Sequence, residues 1–182
     1  AFLVEIPFRL WRWWATPVAF LDNFPAVAMT TKCAVRPDGV AVVTLENAPV
    51  NSLCKTLIVS LQENVAKLSA DPAVKGIVIT GAGNFFCGGA EISEFAQLLG
   101  PGPEAYKERH ASQQFHDVMD VIDASPKTVV AAINGMALGG GLEVALACHY
   151  RVISPKASVG FPEVQLGLLP GGEGTQRIPR VA

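Results

Sequence analysis

The chain has 182 residues, of which 50% are apolar and 16% are charged. This composition excludes a disordered tail and a solvated coiled coil, and the length is that of one domain with a sizeable core. Lysines and arginines number 14 against 16 aspartates and glutamates, a net charge of −2. The charge balance therefore argues against nucleic acid or an anionic membrane as a partner.

The first 28 residues differ from the rest of the chain, since they hold all three tryptophans, Trp11, Trp13 and Trp14. Aromatic and arginine side chains suit a membrane surface or a targeting segment, whereas the prolines of this stretch interrupt any helix. Residues 1–28 are interpreted as a targeting segment or as a stretch outside the native domain. Residues 29–182 are expected to form the domain, truncated at its C-terminus because the final IPRVA carries no cap or turn.

The first elements predicted along the domain are a strand, a helix and a second strand. β-Branched residues over Gly39–Glu46 predict a strand, and apolar residues at helical spacing over Cys54–Leu68 predict a helix. Lys75–Thr80 is almost continuously apolar, which predicts a fully buried strand. A glycine-dense loop over Gly81–Gly89 then leads to a helix from Ile92.

The second half of the domain begins with a longer amphipathic helix, predicted over Glu104–Ala124 and ended by a Ser-Pro pair. Three glycines, Gly139–Gly141, open a buried helix that continues to about Cys148. The inward side chains of the long helix are Phe115, Val118, Met119 and Ile122. The other predicted elements are a buried strand over Thr128–Asn134, a short strand over Arg151–Ser154, a turn or helical element over Pro162–Leu168 and a loop over Pro170–Gly174.

Strands and helices alternate along the chain, which is typical of an α/β fold with a largely parallel sheet and right-handed crossovers. A membrane span over Thr128–Cys148 is the alternative, because this stretch carries one ionisable group. Three consecutive glycines would weaken a spanning helix, and Glu143 would lie in lipid at a cost of several kcal/mol. A buried strand, a glycine turn and a buried helix explain the same residues better, so no stable membrane insertion is expected.

The four cysteines, Cys33, Cys54, Cys87 and Cys148, lie far apart in the sequence. They form no CxxC pair and have no metal-like spacing to the histidines. We expect unpaired structural thiols, a reducing compartment and no metal site.

Two glycine clusters and two glutamates carry the chemical signal. Glycines before a helix leave its first N–H groups open to a phosphate or a developing oxyanion, although close packing explains such a cluster equally well. Glu143 and Glu163 lie in apolar surroundings, where desolvation raises a carboxyl pKa towards neutral pH. Each glutamate alone could instead pair with an arginine or cap a turn. Together they favour acid/base chemistry on a carbonyl substrate, polarised by the N–H groups of Ala90 and Gly140.

Three stretches resemble the crotonase (enoyl-CoA hydratase/isomerase) superfamily: FCGGAEIS at 86–93, INGMALGGGLEVALACHYRV at 133–152 and VGFPEVQLGLLPGGEGTQR at 159–177. The resemblance extends over about residues 38–181. PVNSL at 49–53 and ACHYR at 147–151 are more similar to the hydratase part of peroxisomal multifunctional β-oxidation enzymes than to mitochondrial single-function hydratases.

The resemblance implies a spiral of ββα units whose C-terminal helical part is missing from this chain. It implies an acyl-CoA thioester substrate with coenzyme A as part of the substrate and no separate cofactor. NAD would be needed only if a hydroxyacyl-CoA dehydrogenase part followed. The expected assembly is a homo-oligomer or such a fusion, and the expected location is peroxisomal, with the mitochondrial matrix as the alternative.

The implied activity is hydration of trans-2-enoyl-CoA to 3-hydroxyacyl-CoA. Family isomerases often keep only the carboxylate at the position of Glu163, so the presence of both glutamates favours hydration. The alternatives are 3,2-isomerisation, acyl-CoA hydrolysis and a catalytically silent binding protein. By matching motifs, Glu143 activates the water and Glu163 delivers the proton, the N–H groups of Ala90 and Gly140 form the oxyanion hole, and Val50, Gly88, Gly89, Glu91 and Gly141 bind the substrate.

Two positions depart from the commoner family pattern. Glu91 stands where many relatives carry aspartate, which keeps the charge on a longer side chain. Glu173 stands where single-function hydratases frequently have glycine, which puts the backbone conformation of that loop in question.

Overall fold

The computed structural model of the chain describes residues 31–91 and 109–181, with side chains from residue 114 onward in the second stretch. The expectations for residues 1–28, for a helix from Ile92 and for the start of the Glu104–Ala124 helix lie outside the described residues. In chain order the elements are β1 (Thr31–Val35), β2 (Val40–Leu45), α1 (Lys55–Ala70), β3 (Gly76–Gly81), β4 (Phe85–Cys87), α2 (Arg109–Asp123), β5 (Thr128–Ile133), β6 (Met136–Leu138), α3 (Gly140–Ala147), β7 (Tyr150–Ile153), β8 (Val159–Gly160), a 3₁₀ turn (Glu163–Leu166) and α4 (Gly174–Val181).

Five strands form the larger sheet, in the order β1-β2-β3-β5-β7. β1 pairs with β2 antiparallel, and the other three pairings are parallel, which confirms the predicted α/β class. In β3, Ile77 and Ile79 are buried, whereas Val78 between them is partly exposed. The prediction of a fully buried strand was therefore wrong for β3, because its two faces are unequally covered and α1 packs on one side of β2 and β3.

Three short parallel strands form a second sheet, in the order β4-β6-β8. The sequence did not predict them, since strands of two or three residues are too short to show a periodic pattern. Each contributes to a repeat in which one strand joins the larger sheet, the next joins the smaller sheet, and a helix follows. The ββα order implied by the resemblance is thereby confirmed.

The helices bury the faces that their apolar spacing predicted. In α1, Leu57 and Leu61 are fully buried, while Val59 is partly exposed and Ser60 is buried in its place. The Ser60 hydroxyl can lie inside because its Oγ is 2.6 Å from Oγ1 of Thr31. The predicted inward side chains of α2 are buried at Val118, Met119 and Ile122 and partly buried at Phe115.

The stretch Thr128–Cys148, weighed above as a membrane span, forms β5, β6 and α3. In the described part of the chain no helix is both long and apolar enough to cross a membrane. All four cysteines have free thiols, as predicted. Burial raises the pKa of the thiols of Cys87 and Cys148 to about 12, so neither supplies a nucleophilic thiolate near neutral pH.

Candidate active site

The smaller sheet brings the predicted chemical groups to one edge. β4, β6 and β8 run parallel, so their carboxyl ends lie side by side. The residues that follow these ends are Gly88–Glu91, Gly139–Gly141 and Phe161–Glu163. Ligands of α/β proteins commonly bind outside the carboxyl ends of parallel strands.

The N–H groups of Ala90 and Gly140 lie close together at this edge. A side-chain carbon on Gly140 would lie 3.6 Å from the Ala90 nitrogen, and one on Gly89 would lie 3.9 Å from the Gly140 nitrogen. Among the residues that the structure describes, the Ala90 N–H donates to no acceptor. The first helical bond of α3 runs from the Glu143 N–H to the Gly139 carbonyl, so the Gly140 N–H precedes the helical pattern. The main-chain nitrogens of these two separate loops are therefore neighbours, and their role as an oxyanion hole remains a prediction.

Main-chain hydrogen bonds fix the Ala90 loop to the segment before α1. Leu53 and Ala90 form a parallel bridge, in which the Leu53 N–H donates to Gly89 O at 2.8 Å and the Glu91 N–H donates to Leu53 O at 3.1 Å. The Gly88 N–H donates to Val50 O at 2.8 Å. The structure thus brings together Val50, Gly88, Gly89 and Glu91, whose substrate-binding role remains a prediction.

The side chain of Glu91 contributes to the same junction. The Ser52 hydroxyl donates to Glu91 Oε2 at 2.6 Å. The longer arm of glutamate, compared with the aspartate of many relatives, therefore ends on a hydroxyl of the neighbouring segment.

Glu143 is a buried carboxylate on α3, with 2% of the residue exposed. Its Oε1 accepts a hydrogen bond from the Gly174 N–H at 2.8 Å. Burial raises the pKa of Glu143, and the nearby Glu163 carboxylate raises it further, whereas the N–H groups of Gly174 and Gly172 oppose the rise. A carboxylate with a raised pKa accepts a proton more readily near neutral pH.

Glu163 begins the 3₁₀ turn and faces the same space. A side-chain carbon on Gly139 would lie 2.8 Å from Glu163 Oε1, which places this carboxylate against the glycine turn before α3. Its Oε2 is buried and has no hydrogen-bond partner among the described residues. Glu163 also lies near enough to Glu143 to raise the pKa of that carboxyl, so the two glutamates belong to the same end of the smaller sheet.

Gly141 faces a different neighbour from Gly140. A side-chain carbon there would lie 2.4 Å from Cys87 O, so Gly141 allows α3 to pack closely on β4. Its predicted contact with substrate remains a prediction.

The sequence did not reveal the main-chain N–H groups of Gly172 and Gly174 or the aromatic ring of Phe115 as parts of the site. A side-chain carbon on Gly140 would lie 3.0 Å from Phe115 Cζ, so this ring borders the two donors. Phe115 was predicted only as a core residue. The available signal was the density of glycines in the Pro170–Gly174 loop, which marks a close approach of the backbone.

A family model described as enoyl-CoA hydratase/isomerase matches residues 36–182. The chain belongs to the enoyl-CoA hydratase/isomerase family.

Curated relatives and solved structures agree with this membership. The chain is 46% identical over 151 residues to the glyoxysomal fatty acid beta-oxidation multifunctional protein MFP-a of Cucumis sativus, covering 83% of this chain and 21% of that protein. It is 44% identical over 145 residues to the peroxisomal bifunctional enzyme of Cavia porcellus, covering 80% of this chain and 19% of that one. Enoyl-CoA hydratase from Bacillus anthracis superposes with a TM-score of 0.75 at 35% identity, covering 84% of this chain and 58% of that one. The chain thus spans about a fifth of the two multifunctional relatives.

Proposed function

We propose that the chain catalyses the hydration of trans-2-enoyl-CoA to 3-hydroxyacyl-CoA in fatty acid β-oxidation. The observation that carries this proposal is the position of four groups at one sheet edge: the buried Glu143, the partly buried Glu163, and the N–H groups of Ala90 and Gly140. Family membership and the hydratase and β-oxidation proteins among the similar proteins support it.

The oxyanion hole lowers the barrier to attack on the enoyl group. When water adds to the β-carbon, the π electrons move onto the thioester oxygen, which becomes negative. The N–H groups of Ala90 and Gly140 stabilise that charge without reorganisation. Loss of one such donor typically costs about 10²–10³ in rate.

The glutamates then move the protons. Glu143 accepts a proton from the attacking water, for which its raised pKa suits it. Glu163 must enter this step as the carboxylic acid, and it delivers its proton to the α-carbon as the electrons return from the oxygen; its Oε2 has no hydrogen-bond partner among the described residues. The proton that Glu143 has gained replaces the one that Glu163 has lost before the next cycle. One molecule of water is thereby added across the double bond, and the net proton count is unchanged.

We place the coenzyme A moiety of the substrate along Pro49–Leu53 and Gly88–Glu91. Main-chain hydrogen bonds of this loop with Val50 and Leu53 hold the two segments together. Binding energy from this remote part positions the acyl chain against the glutamates. We further infer a peroxisomal location and a longer multifunctional protein, on the strength of the glyoxysomal and peroxisomal relatives.

The direct test follows the ultraviolet band of crotonyl-CoA, which disappears when the double bond is hydrated. Wild type should remove the band, and Glu143→Gln should abolish removal while binding crotonyl-CoA with nearly unchanged affinity in calorimetry. Hydration by Glu143→Gln at the wild-type rate would exclude Glu143 from the mechanism. If wild type instead generates the band from a 3-enoyl-CoA and never removes it, 3,2-isomerisation through Glu163 is the activity.

A further inference from the structure

Glu173 has an unusual backbone conformation for its residue type. Its φ is +73°, in the left-handed region that favours glycine, and the only other described residue besides glycine with positive φ is Asn51. Such a conformation persists where the surroundings hold it in place, and it occurs often at functional sites. Glycine, the commoner residue at this position, would adopt the same positive φ without strain and without a side chain.

An ion-pair cluster holds the Glu173 side chain. Arg177 donates to Glu173 Oε2 from Nε at 2.8 Å, and its Nη2 lies 2.6 Å from the same oxygen. Arg177 is 13% exposed and contacts Asp123 through Nη1 at 3.3 Å. Nδ1 of His116, on α2, lies 3.6 Å from Glu173 Oε1.

The peptide groups on either side of Glu173 hold the Glu143 carboxylate. The Gly174 N–H donates to Glu143 Oε1 at 2.8 Å, and the Gly172 N–H is near enough to lower the pKa of Glu143. Side-chain carbons at 172 and 174 would lie 2.4 Å and 2.8 Å from the Glu143 oxygens, so both flanking positions require glycine. Successive main-chain N–H groups around a left-handed residue form a concavity that binds an anion.

We infer that Glu173 is a positioning residue for Glu143: its carboxylate, anchored by Arg177 and His116, fixes the 172–174 backbone so that the Gly174 N–H keeps its hydrogen bond to the Glu143 carboxylate. The catalytic consequence rests on the proposed hydratase function. A glycine at position 173 would permit the conformation but would not anchor it.

The charges around the cluster come from two helices. Asp117, Asp120 and Asp123 belong to α2 together with His116, and Arg177 belongs to α4. Burial raises the pKa of Asp120, and the charges of Glu173 and Asp117 raise it further, whereas Arg177 and His116 oppose the rise. At Glu143 burial and the Glu163 charge raise the pKa, and His116 opposes the rise. If Glu173 is released, the hydrogen bond from the Gly174 N–H to Glu143 weakens. Because this hydrogen bond lowers the pKa of Glu143, that pKa should then rise further.

The test compares Glu173→Gly and Glu173→Gln with wild type. One readout is the titration of Glu143, followed by carbon NMR of its carboxyl group; the other is kcat and KM for crotonyl-CoA across pH. We expect the Glu143 titration to move up by about one pH unit in both variants, with kcat lower by about tenfold and KM little changed. Glu46→Gln, which breaks the exposed 2.7 Å pair between Lys32 and Glu46, is the matched control and should change neither readout.

Wild-type kcat and an unmoved Glu143 titration in both variants would overturn the inference. A fall in kcat without a shifted titration would overturn it equally, because Glu173 would then act elsewhere. If Glu173→Gly unfolds, Glu173→Gln carries the comparison. Failure of wild type to hydrate crotonyl-CoA would refute the proposed function alone. The NMR titration would still show whether Glu173 changes the pKa of Glu143 through the 172–174 backbone.

Discussion

Replacing Gly140 by alanine should lower the catalytic rate through the proposed oxyanion hole while leaving the free energy of unfolding nearly unchanged. The new methyl carbon would lie 3.6 Å from the Ala90 nitrogen, 3.0 Å from Phe115 Cζ and 3.2 Å from Leu53 Cδ1. A thioester oxygen bound by both N–H groups must lie about 2.9 Å from each nitrogen. The alanine methyl group would therefore crowd the position of the thioester oxygen. The Phe115 ring and the Leu53 side chain leave this methyl group little room to move away.

The expected loss is that of one oxyanion donor, about 10²–10³ in kcat for crotonyl-CoA, or roughly 3–4 kcal/mol. Stability should change by less than about 1 kcal/mol, because alanine favours a helix more than glycine and this gain offsets the tight contacts. Initial rates of band loss and thermal unfolding by circular dichroism measure the two effects.

Gly141→Ala is the matched control, one residue further along α3. Its side-chain carbon would lie 2.4 Å from Cys87 O and 2.6 Å from Cys87 Cβ, so it must displace the backbone of β4. We expect a loss of about 1–3 kcal/mol in the free energy of unfolding, typical of an overpacked core. A wild-type rate in Gly140→Ala would refute the assignment of Gly140 to the donor site. A larger loss of unfolding free energy in Gly140→Ala than in Gly141→Ala would refute it as well.

Three further variants test the electrostatics and packing. Because burial raises the pKa of Glu143 above its ordinary value of 4.5, ionising it costs stability as pH rises through the folded-state pKa. The unfolding free energy of Glu143→Gln minus that of wild type should therefore grow with pH in urea titrations, and a constant difference would contradict this. Leu61→Ala leaves a cavity at a fully buried position and should lower the free energy of unfolding by about 2–5 kcal/mol in the same assay. A loss under about 1 kcal/mol would contradict the described core. Asn51→Ala removes the side-chain hydrogen bonds to Ala82 O at 3.0 Å and Phe85 O at 2.9 Å and leaves alanine at a φ of 56°. The free energy of unfolding should therefore fall by about 2–4 kcal/mol. A near-neutral result would show that Asn51 does not hold this loop.

The sequence predicted the parts of the fold whose residue types form a continuous local pattern. β2 and β5 were found near their predicted positions because runs of β-branched or apolar residues mark them, and α1 because its apolar residues recur at helical spacing. β4, β6 and β8 were not predicted, although they form the sheet on which the site is built. Their pairing depends on contacts between distant segments rather than on local residue choice.

The candidate site divides in the same way. Glu143 and Glu163 were selectable because a carboxylate in an apolar stretch is unusual, and the structure brings them together. The N–H donors of Gly172 and Gly174 were not selectable, since every residue type except proline has an N–H and only the folded loop aims it. The positive φ of Glu173 was raised as a question by its departure from the commoner glycine, but its anchoring by Arg177 and His116 required the structure.

A double-mutant cycle on the two glutamates tests the central claim most directly. Glu143→Gln, Glu163→Gln and the double variant are compared in kcat/KM for crotonyl-CoA. If both carboxylates act on one substrate, each single variant should lose about 10²–10⁴ in rate, and the double variant should be little slower than the worse single one. Hydration at the wild-type rate in either single variant, or losses that simply multiply in the double variant, would contradict a joint site.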